Sequence, residues 1–178
     1  MVELKRTLSL IPLAYWDERG KKYIMKSDIF QLLTEVDLKL LIGPEAKPEW
    51  VTTECEGCYF KGVLWLLEED AYVAGHEIIH FLVDKEFLPK AQVKTRKGIR
   101  TWTWLGVSIP SYFIDELSQF PLPGENVIEY LKDEIPAFIG EQLHSLICQA
   151  LIDFKEGHSA KDIQQRIASR VEVIKDSL

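Results

Sequence analysis

Two histidines and a glutamate near the middle of the chain have the types and spacing of a metal-dependent hydrolytic site. The segment His76-Glu77-Ile78-Ile79-His80 follows the pattern H-E-x-x-H. Residues four apart on a helix share a face, so both imidazoles can reach one metal ion. Glu77 lies next to the first histidine, where its carboxylate can hold a water molecule and take a proton from it. Zn²⁺ suits this arrangement because it accepts neutral imidazole nitrogen and lowers the pKa of water towards neutrality.

The pattern is rarer than composition alone would produce. With 4 His and 18 Glu in 178 residues, we expect roughly 0.01 chance occurrences. The alternative is a pair of histidines held by ordinary hydrogen bonds in the core, with no metal between them. The short motif therefore favours a metal site without excluding that alternative.

The residues around the motif resemble the extended signature of the zincin metallopeptidases. These positions are uncharged and without proline: Val73, Ala74, Ile78, Ile79, Phe81 and Leu82. The H-x-x-G-x-x-H continuation of metzincins and the N-E-x-x-S-D helix of thermolysin-like enzymes are absent, so the resemblance implies a minimal or divergent, gluzincin-like member. It also implies that residues 59–67 form an edge strand that pairs with an extended peptide substrate. As in some zincins, Tyr112 or Tyr130 could stabilise an oxyanion.

In gluzincins the third zinc ligand is a glutamate on a later helix, and a catalytic zinc keeps one coordination position open. The candidates downstream of the motif are Glu116, Glu125, Glu129, Glu134 and Glu141. Glu134 begins an E-x-x-A pattern followed by an aromatic residue, which is common on the ligand helix of small gluzincin-like proteins. We therefore predict Glu134 as the third ligand. Glu141 lies seven residues later on nearly the same helical face, so it is the second choice if Pro136 diverts the chain, and Glu116 is the third.

The elements that must position these residues alternate between strands and helices. Hydrophobic periodicity predicts strands at residues 7–16, 23–25, 38–42, 50–53 and 59–67. A helix over residues 70–87 carries the motif and stops before Pro89. A hairpin then turns at residues 94–98, and its second arm covers residues 99–109. An earlier short helix is capped by Ser27 or Asp28, and a later one covers residues 112–120. Another helix starts over residues 125–132, Pro136 either kinks it or opens a new one, residues 137–154 are helical, and a last helix is capped by Ser159.

This order predicts an α+β fold in one domain that spans residues 1–178. By resemblance the fold is zincin-like, with a small mixed sheet in the N-terminal half, an active-site helix and a helical C-terminal half. Its successive parts are mainly strands with one helix (1–67), the motif helix (68–88), the hairpin (89–110) and the remaining helices (111–178).

A C-x-x-C motif, Cys55 and Cys58, is a second candidate for chemistry. A structural zinc ion there would need two more ligands, from Cys148, His144 or His158. A thioredoxin-like redox pair stands at the start of a helix after a strand, whereas this motif precedes a strand. Plain thiols in a turn are therefore the favoured interpretation.

The hairpin is rich in cationic side chains: Lys90, Lys94, Arg96, Lys97 and Arg100. Trp102 and Trp104 follow, and basic residues beside aromatic ones can mark a nucleic-acid contact. In a chain of net charge −7, a solvated hairpin with its tryptophans packed inward is favoured. The hairpin could also act as a lid or specificity element beside the cleft.

Composition and charge exclude several classes of protein. Lys plus Arg number 21 against 28 for Asp plus Glu, which argues against a chain that wraps nucleic acid or coats an anionic membrane. The sequence contains no run of eighteen apolar residues and no signal-peptide core near its start. Three cysteines are an odd number, which favours a reducing compartment. We therefore expect a soluble, cytoplasmic protein without a membrane or nucleic-acid partner.

Together these patterns predict a zinc-dependent metallopeptidase whose partner is a peptide or protein substrate. His76, His80 and Glu134 would hold Zn²⁺, and Glu77 would be the general base in peptide-bond hydrolysis. The alternative is a non-enzymatic, zincin-like interaction or regulatory protein whose metal is structural or absent. A Glu77→Gln substitution separates the two, because it should stop turnover in an enzyme and change nothing in an interaction protein.

Overall fold

The structure of the protein is a computed structural model that describes residues 14–16, 23–52 and 54–178. Its strands are β1 (Ala14–Trp16), β2 (Tyr23–Met25), β3 (Lys39–Ile42), β4 (Gly57–Phe60), β5 (Val63–Leu66), β6 (Gln92–Arg96), β7 (Ile99–Trp104) and β8 (Val107–Ser108). Its α-helices are α1 (Lys26–Thr34), α2 (Ala71–Asp84), α3 (Ser111–Leu117), α4 (Val127–Gly140), α5 (His144–Lys155) and α6 (Ala160–Ile174). The predicted α+β class is confirmed, and the zincin-like arrangement stays a prediction.

The described strands form three small sheets. β1 and β2 pair as an antiparallel hairpin, as the sequence predicts for residues 23–25. The second sheet has the order β3-β5-β4, in which β3 is parallel and β4 antiparallel to β5, so β4 lies at an edge. The third sheet, β6-β7-β8, is antiparallel throughout. The sheet before the motif is therefore mixed.

The motif helix α2 lies at the centre of the packing. It contacts the strands β4 and β5 on one side and the helices α4 and α5 on another. Its side chains Ala74, Ile78, Ile79, Phe81 and Leu82 are completely buried in the hydrophobic core. Because the helix is held from several directions, the polar side chains on its remaining face have fixed positions.

Both ends of α2 follow from local chemistry. Asp70 is the N-cap, and its carboxylate accepts hydrogen bonds from the backbone N–H groups of Tyr72 and Val73. The helix ends at Asp84, three residues before the end of the predicted helix, and Glu86 just beyond it takes a left-handed conformation with φ 58°. The predicted motif helix is thus confirmed except for its last turn.

Two predicted strands are divided by tight turns. The run 59–67 contains the end of β4 and all of β5, separated by Lys61 (φ 45°) and Gly62 (φ 82°). The predicted arm 99–109 is divided in the same way by Leu105 (φ 51°) and Gly106 (φ 78°) into β7 and β8. Two consecutive left-handed residues are the mark of a two-residue hairpin turn.

Other predicted strands need smaller corrections. Residues 50–52, the described part of the predicted strand 50–53, form no strand. β3 is half-buried instead of buried. Of the predicted strand 7–16 only Ala14–Trp16 is described, and it is β1; the rest of that strand lies outside the described residues.

The predicted continuous helix over residues 137–154 is wrong. α4 runs through Pro136 and ends at Gly140, and α5 begins at His144 after a bend of 109°. Within the described ranges, no single helix combines the length and apolar composition needed to cross a membrane, and α4 with α5 meets that test only as a bent pair. Ser159 caps α6 as predicted, accepting a hydrogen bond from the Lys161 backbone N–H.

Candidate metal centre

The two motif histidines lie side by side on one face of α2. Their ring centroids are 5.1 Å apart, and both rings line an open cleft of about 900 Å³. The side chains of His76 and His80 are 12% and 18% exposed, so they are held by packing and still reach the cleft. The predicted shared face and cleft are confirmed.

Glu134 of α4 reaches both histidines. Its Oε2 lies 2.9 Å from Nε2 of His76, and its Oε1 lies 3.1 Å from Nε2 of His80. One ligand atom from each of the three residues lies within 4.8 Å of the other two. In the described part of the chain, no other group of three or more His, Cys, Asp or Glu side chains converges in this way. The structure therefore brings together the two motif histidines and the first-choice glutamate.

Pro136 does not move Glu134 off the helix, because the hydrogen bond that it removes is replaced. A proline has no N–H group, so the carbonyl of Lys132, four residues earlier, loses its helical partner. The backbone N–H of Ala91 donates to that carbonyl at 2.9 Å instead. An ion pair of 3.0 Å between Lys90 Nζ and Asp133 Oδ1 joins the same two segments next to this hydrogen bond. This junction explains how α4 stays regular where it carries Glu134.

Glu141, the second choice for the third ligand, contacts the opposite nitrogen of His76. Its Oε1 lies 2.7 Å from Nδ1 of His76, while Nε2 of the same ring faces Glu134. With Nδ1–H donating to Glu141, the Nε2 lone pair is left for a metal. Phe138 packs edge-on against the His76 ring at 4.7 Å. Glu141 and Phe138 thus orient His76.

The approach of α2 to α4 depends on a glycine at the end of α4. A Cβ atom on Gly140 would lie 2.3 Å from Cγ1 of Ile79, which is a clash. On α2, a Cβ atom on Gly75 would lie 3.6 Å from the carbonyl oxygen of Gly140, which is an ordinary contact distance. The absent side chain at Gly140 therefore lets the end of α4, with Glu141, come close to the histidine helix.

Glu77 is a buried carboxyl group at the edge of the cleft. It is 7% exposed and lines the cleft together with Cys58 and Tyr59. Burial raises the pKa of Glu77 above its ordinary value, against the opposing charges of the histidines and a hydrogen bond from the Tyr59 backbone. A raised pKa moves the pH at which a carboxyl group gains and loses a proton with equal ease towards neutrality. This suits a group that takes and returns protons.

The charges of His76 and Glu134 stabilise each other in the absence of an ion. Burial acts to lower the pKa of His76, but the hydrogen bonds to Glu134 and Glu141 outweigh it and raise that pKa to about 10. Burial acts to raise the pKa of Glu134, but His76 and His80 outweigh it and hold the pKa well below its usual range. A cationic centre is therefore favourable at this position, because a proton on His76 and a metal ion would satisfy the same carboxylates.

The remaining candidates for the third ligand lie elsewhere. Glu129 is bound to Lys132 Nζ at 2.7 Å on the exposed side of α4. Glu125 lines the cleft without joining the converging group, and Glu116 lines a separate cavity on α3. Of these three, none contacts the motif histidines.

Of the two tyrosines that could stabilise an oxyanion, Tyr130 lies at the cleft and Tyr112 does not. Tyr130 lies one helical turn before Glu134 and lines the cleft. Burial and then the Glu134 charge raise its pKa, so its phenol stays protonated at neutral pH. Tyr112 instead donates to the backbone carbonyl of Lys175 at 3.0 Å. Only Tyr130 of the pair is placed to donate to a molecule in the cleft.

The C-x-x-C motif lies at the wall of the same cleft, which the sequence reasoning missed. Cys55 and Cys58 are both free thiols, and both line the cleft. Burial raises the pKa of Cys58 to about 12, and the neighbouring Glu77 charge adds to the effect. A thiol with so high a pKa is protonated at neutral pH, so it is a weak nucleophile and a weak metal ligand. The interpretation as plain thiols remains the favoured one.

The basic hairpin has the predicted orientation. Trp102 and Trp104 are 4% and 1% exposed, and Trp104 Nε1 donates to the Pro89 carbonyl at 2.9 Å. The cationic side chains of Lys94 and Arg96 are exposed on the other face. Since both indoles are buried, they are not available to stack on nucleic-acid bases.

Comparisons of the chain with profiles of known protein families, with curated proteins and with solved structures each return no match.

The side chains of His76, His80 and Glu134 could hold a metal ion. Two imidazole nitrogens and one carboxylate oxygen are donors that zinc and other divalent transition metals accept. One ligand atom from each of them lies within 4.8 Å of the other two, so a single ion placed between these atoms could contact all three.

Proposed function

We propose that the protein is a zinc-dependent metallopeptidase or a close relative, in which His76, His80 and Glu134 bind the metal. The observation that carries this proposal is the convergence of three separated ligand atoms within 4.8 Å beside the buried carboxyl group of Glu77. The chance frequency of the motif and the second-choice residue Glu141 on the other side of His76 add support. The zincin resemblance of the motif supplies the reaction class.

A bound Zn²⁺ would supply a Lewis acid that polarises a carbonyl group and lowers the pKa of water. Glu77 is the general base: its carboxylate takes one proton from the attacking water and passes it to the departing amine nitrogen, so that the carboxylate is regenerated. Its burial raises its proton affinity, which helps it to hold that proton between the two transfers. Tyr130 donates a hydrogen bond to the oxygen on which negative charge develops.

A peptide is the substrate that fits the strand beside the site. β4 is an edge strand of its sheet, packs on α2 and contributes Cys58, Tyr59 and Phe60 to the cleft wall. An edge strand offers unpaired backbone groups to an extended chain. Phe60 of β4 is 50% exposed, which provides an apolar contact for such a chain. Within the run 59–67, we therefore propose that β4 pairs with the peptide substrate, because β5 lies between β3 and β4 in the sheet.

The deciding experiment compares Glu77→Gln with the wild-type protein. We expect one zinc ion per chain in both proteins by metal analysis, and a loss of peptide hydrolysis of about 10²–10⁴-fold in Glu77→Gln, measured with a quenched fluorescent peptide library. Glu129→Gln, an exposed glutamate on the ligand helix, is the matched control and should retain both properties.

Two outcomes would reject the proposal. Protein that binds no metal after refolding with excess zinc would exclude the metal centre. Protein that binds one zinc ion but hydrolyses the library no faster than Glu77→Gln would favour the alternative of a non-enzymatic interaction protein.

A further inference from the structure

A second, smaller cavity lies next to the metal centre, between α2, α3 and α4. We call it the side cavity, and it has a volume of about 240 Å³. Most of its wall is apolar, with contributions from Val73, Phe113, Leu117, Phe120 and Phe138. This is room for one long side chain of a substrate.

The side cavity and the metal cleft share a wall. Phe120 and Phe138 line both spaces and are stacked on each other at 6.0 Å. Phe138 also contacts the His76 ring, and Glu141, which holds His76, lines the side cavity as well. A peptide whose carbonyl group lies at the metal centre would therefore have a neighbouring side chain beside this cavity.

The charge around the side cavity has one sign. Its ionisable lining residues are all acidic: Glu56, Asp70, Glu116 and Glu141. No lysine, arginine or histidine of the described chain lines it. Asp70 caps α2 and Glu141 holds His76, whereas Glu116 is exposed on α3. The cavity therefore combines apolar walls with a negative potential.

We propose that the side cavity binds a lysine or arginine side chain of the peptide substrate, next to the bond that is cut. The methylene groups of such a side chain would pack on Phe113, Leu117 and Phe138, while its cationic end would lie near the carboxylates. A purely apolar side chain would displace water from those carboxylates without offering them a new hydrogen bond or ion pair. An acidic side chain would be repelled by their charge. The inference rests on the proposed peptidase function, and it specifies the substrate class.

The test measures binding without turnover. Zinc-loaded Glu77→Gln protein is titrated with two fluorescein-labelled, end-blocked peptide pools that are identical except for lysine or its neutral near-isostere norleucine at one fixed position. We expect the lysine pool to bind about tenfold more tightly by anisotropy. Adding Glu116→Gln should reduce that preference about threefold. Asp115→Asn, the adjacent exposed acid that does not line the cavity, should leave it unchanged.

The outcomes separate this inference from the proposed function. Equal binding of the two pools, no binding of either, or a lysine preference that is as large in Glu116→Gln as without it would overturn the basic-side-chain site, even if the wild-type protein cleaves peptides. A lysine preference that depends on Glu116 would support the site even if the wild-type protein cleaves nothing, in which case the peptidase proposal fails alone.

Discussion

Replacing Gly140 by alanine should destabilise the protein, although the same change in most helices stabilises them. Alanine is favoured over glycine inside a helix by about 0.5–1 kcal/mol, and the lower value applies here because Gly140 is the last residue of α4. Here the new Cβ would lie 2.3 Å from Cγ1 and 3.0 Å from Cδ1 of Ile79. Ile79 is completely buried, so it can move only by displacing the core. Overpacking of this kind costs about 1–3 kcal/mol, and we expect a net loss of about 0.5–2.5 kcal/mol after a helical gain of about 0.5 kcal/mol.

Gly75→Ala is the matched control on the facing helix. Its new Cβ would have no neighbour nearer than 3.6 Å, so the helical preference of alanine is not opposed. We expect it to increase the free energy of unfolding by about 0.5–1 kcal/mol. Both variants are measured by urea unfolding of the metal-free protein, monitored by tryptophan fluorescence.

A double-mutant cycle with Ile79→Ala identifies the clash. Ile79→Ala alone leaves a void and should cost about 2–5 kcal/mol. In the Gly140→Ala background it should cost at least about 1 kcal/mol less, because it removes the two clashing carbon atoms. Additive effects, or a Gly140→Ala protein as stable as the wild type, would refute the claim that this contact sets the distance between α2 and α4.

The remaining predictions concern the ligands and their protonation. Glu134→Gln should weaken zinc binding by more than 10²-fold in a chelator competition, whereas Glu141→Ala, which acts only through Nδ1 of His76, should weaken it by about 10–100-fold; the reverse order would exchange their roles. In metal-free protein, the raised pKa of His76 means that its contribution to stability is present below pH 6.5 and is lost as the pH rises through about 10. Urea unfolding from pH 6.5 to 10 should show that decline, and His76→Gln should abolish it.

The placement of the two motif histidines could be predicted because it depends on local rules. Helical periodicity alone places His76 and His80 on one face, and the apolar residues between and around them make the helix a core element. Glu134 was selected from a short pattern, and the structure places it against both histidines. Spacing and amphipathicity thus predict the shared face of His76 and His80, whereas the choice of Glu134 rests on the gluzincin resemblance.

Contacts between distant segments account for what the sequence did not reveal. Glu141 was a candidate ligand because it shares a helical face with Glu134, but the end of α4 at Gly140 directs it to Nδ1 of His76. The effect of Pro136 depends on Ala91, 45 positions earlier, which replaces the lost hydrogen bond. The turns at Gly62 and Gly106 lie inside apolar runs whose composition predicts continuous strands. None of these features is visible in a window of neighbouring residues.

The junction of Ala91 with Lys132 also bears on how the protein could diverge. The chain leaves the histidine helix at Asp84, builds the basic hairpin and α3, and returns at the junction immediately before Glu134. The two ends of the segment 91–132 are thus joined to each other by a hydrogen bond that does not involve the tip of the hairpin. Doubling the length of a flexible loop costs only about 0.6 kcal/mol, so insertions between Lys97 and Gly98 should accumulate in descendants of this gene at little expense to the ligand geometry. The hairpin tip is then where new recognition could evolve while the chemical centre stays constant.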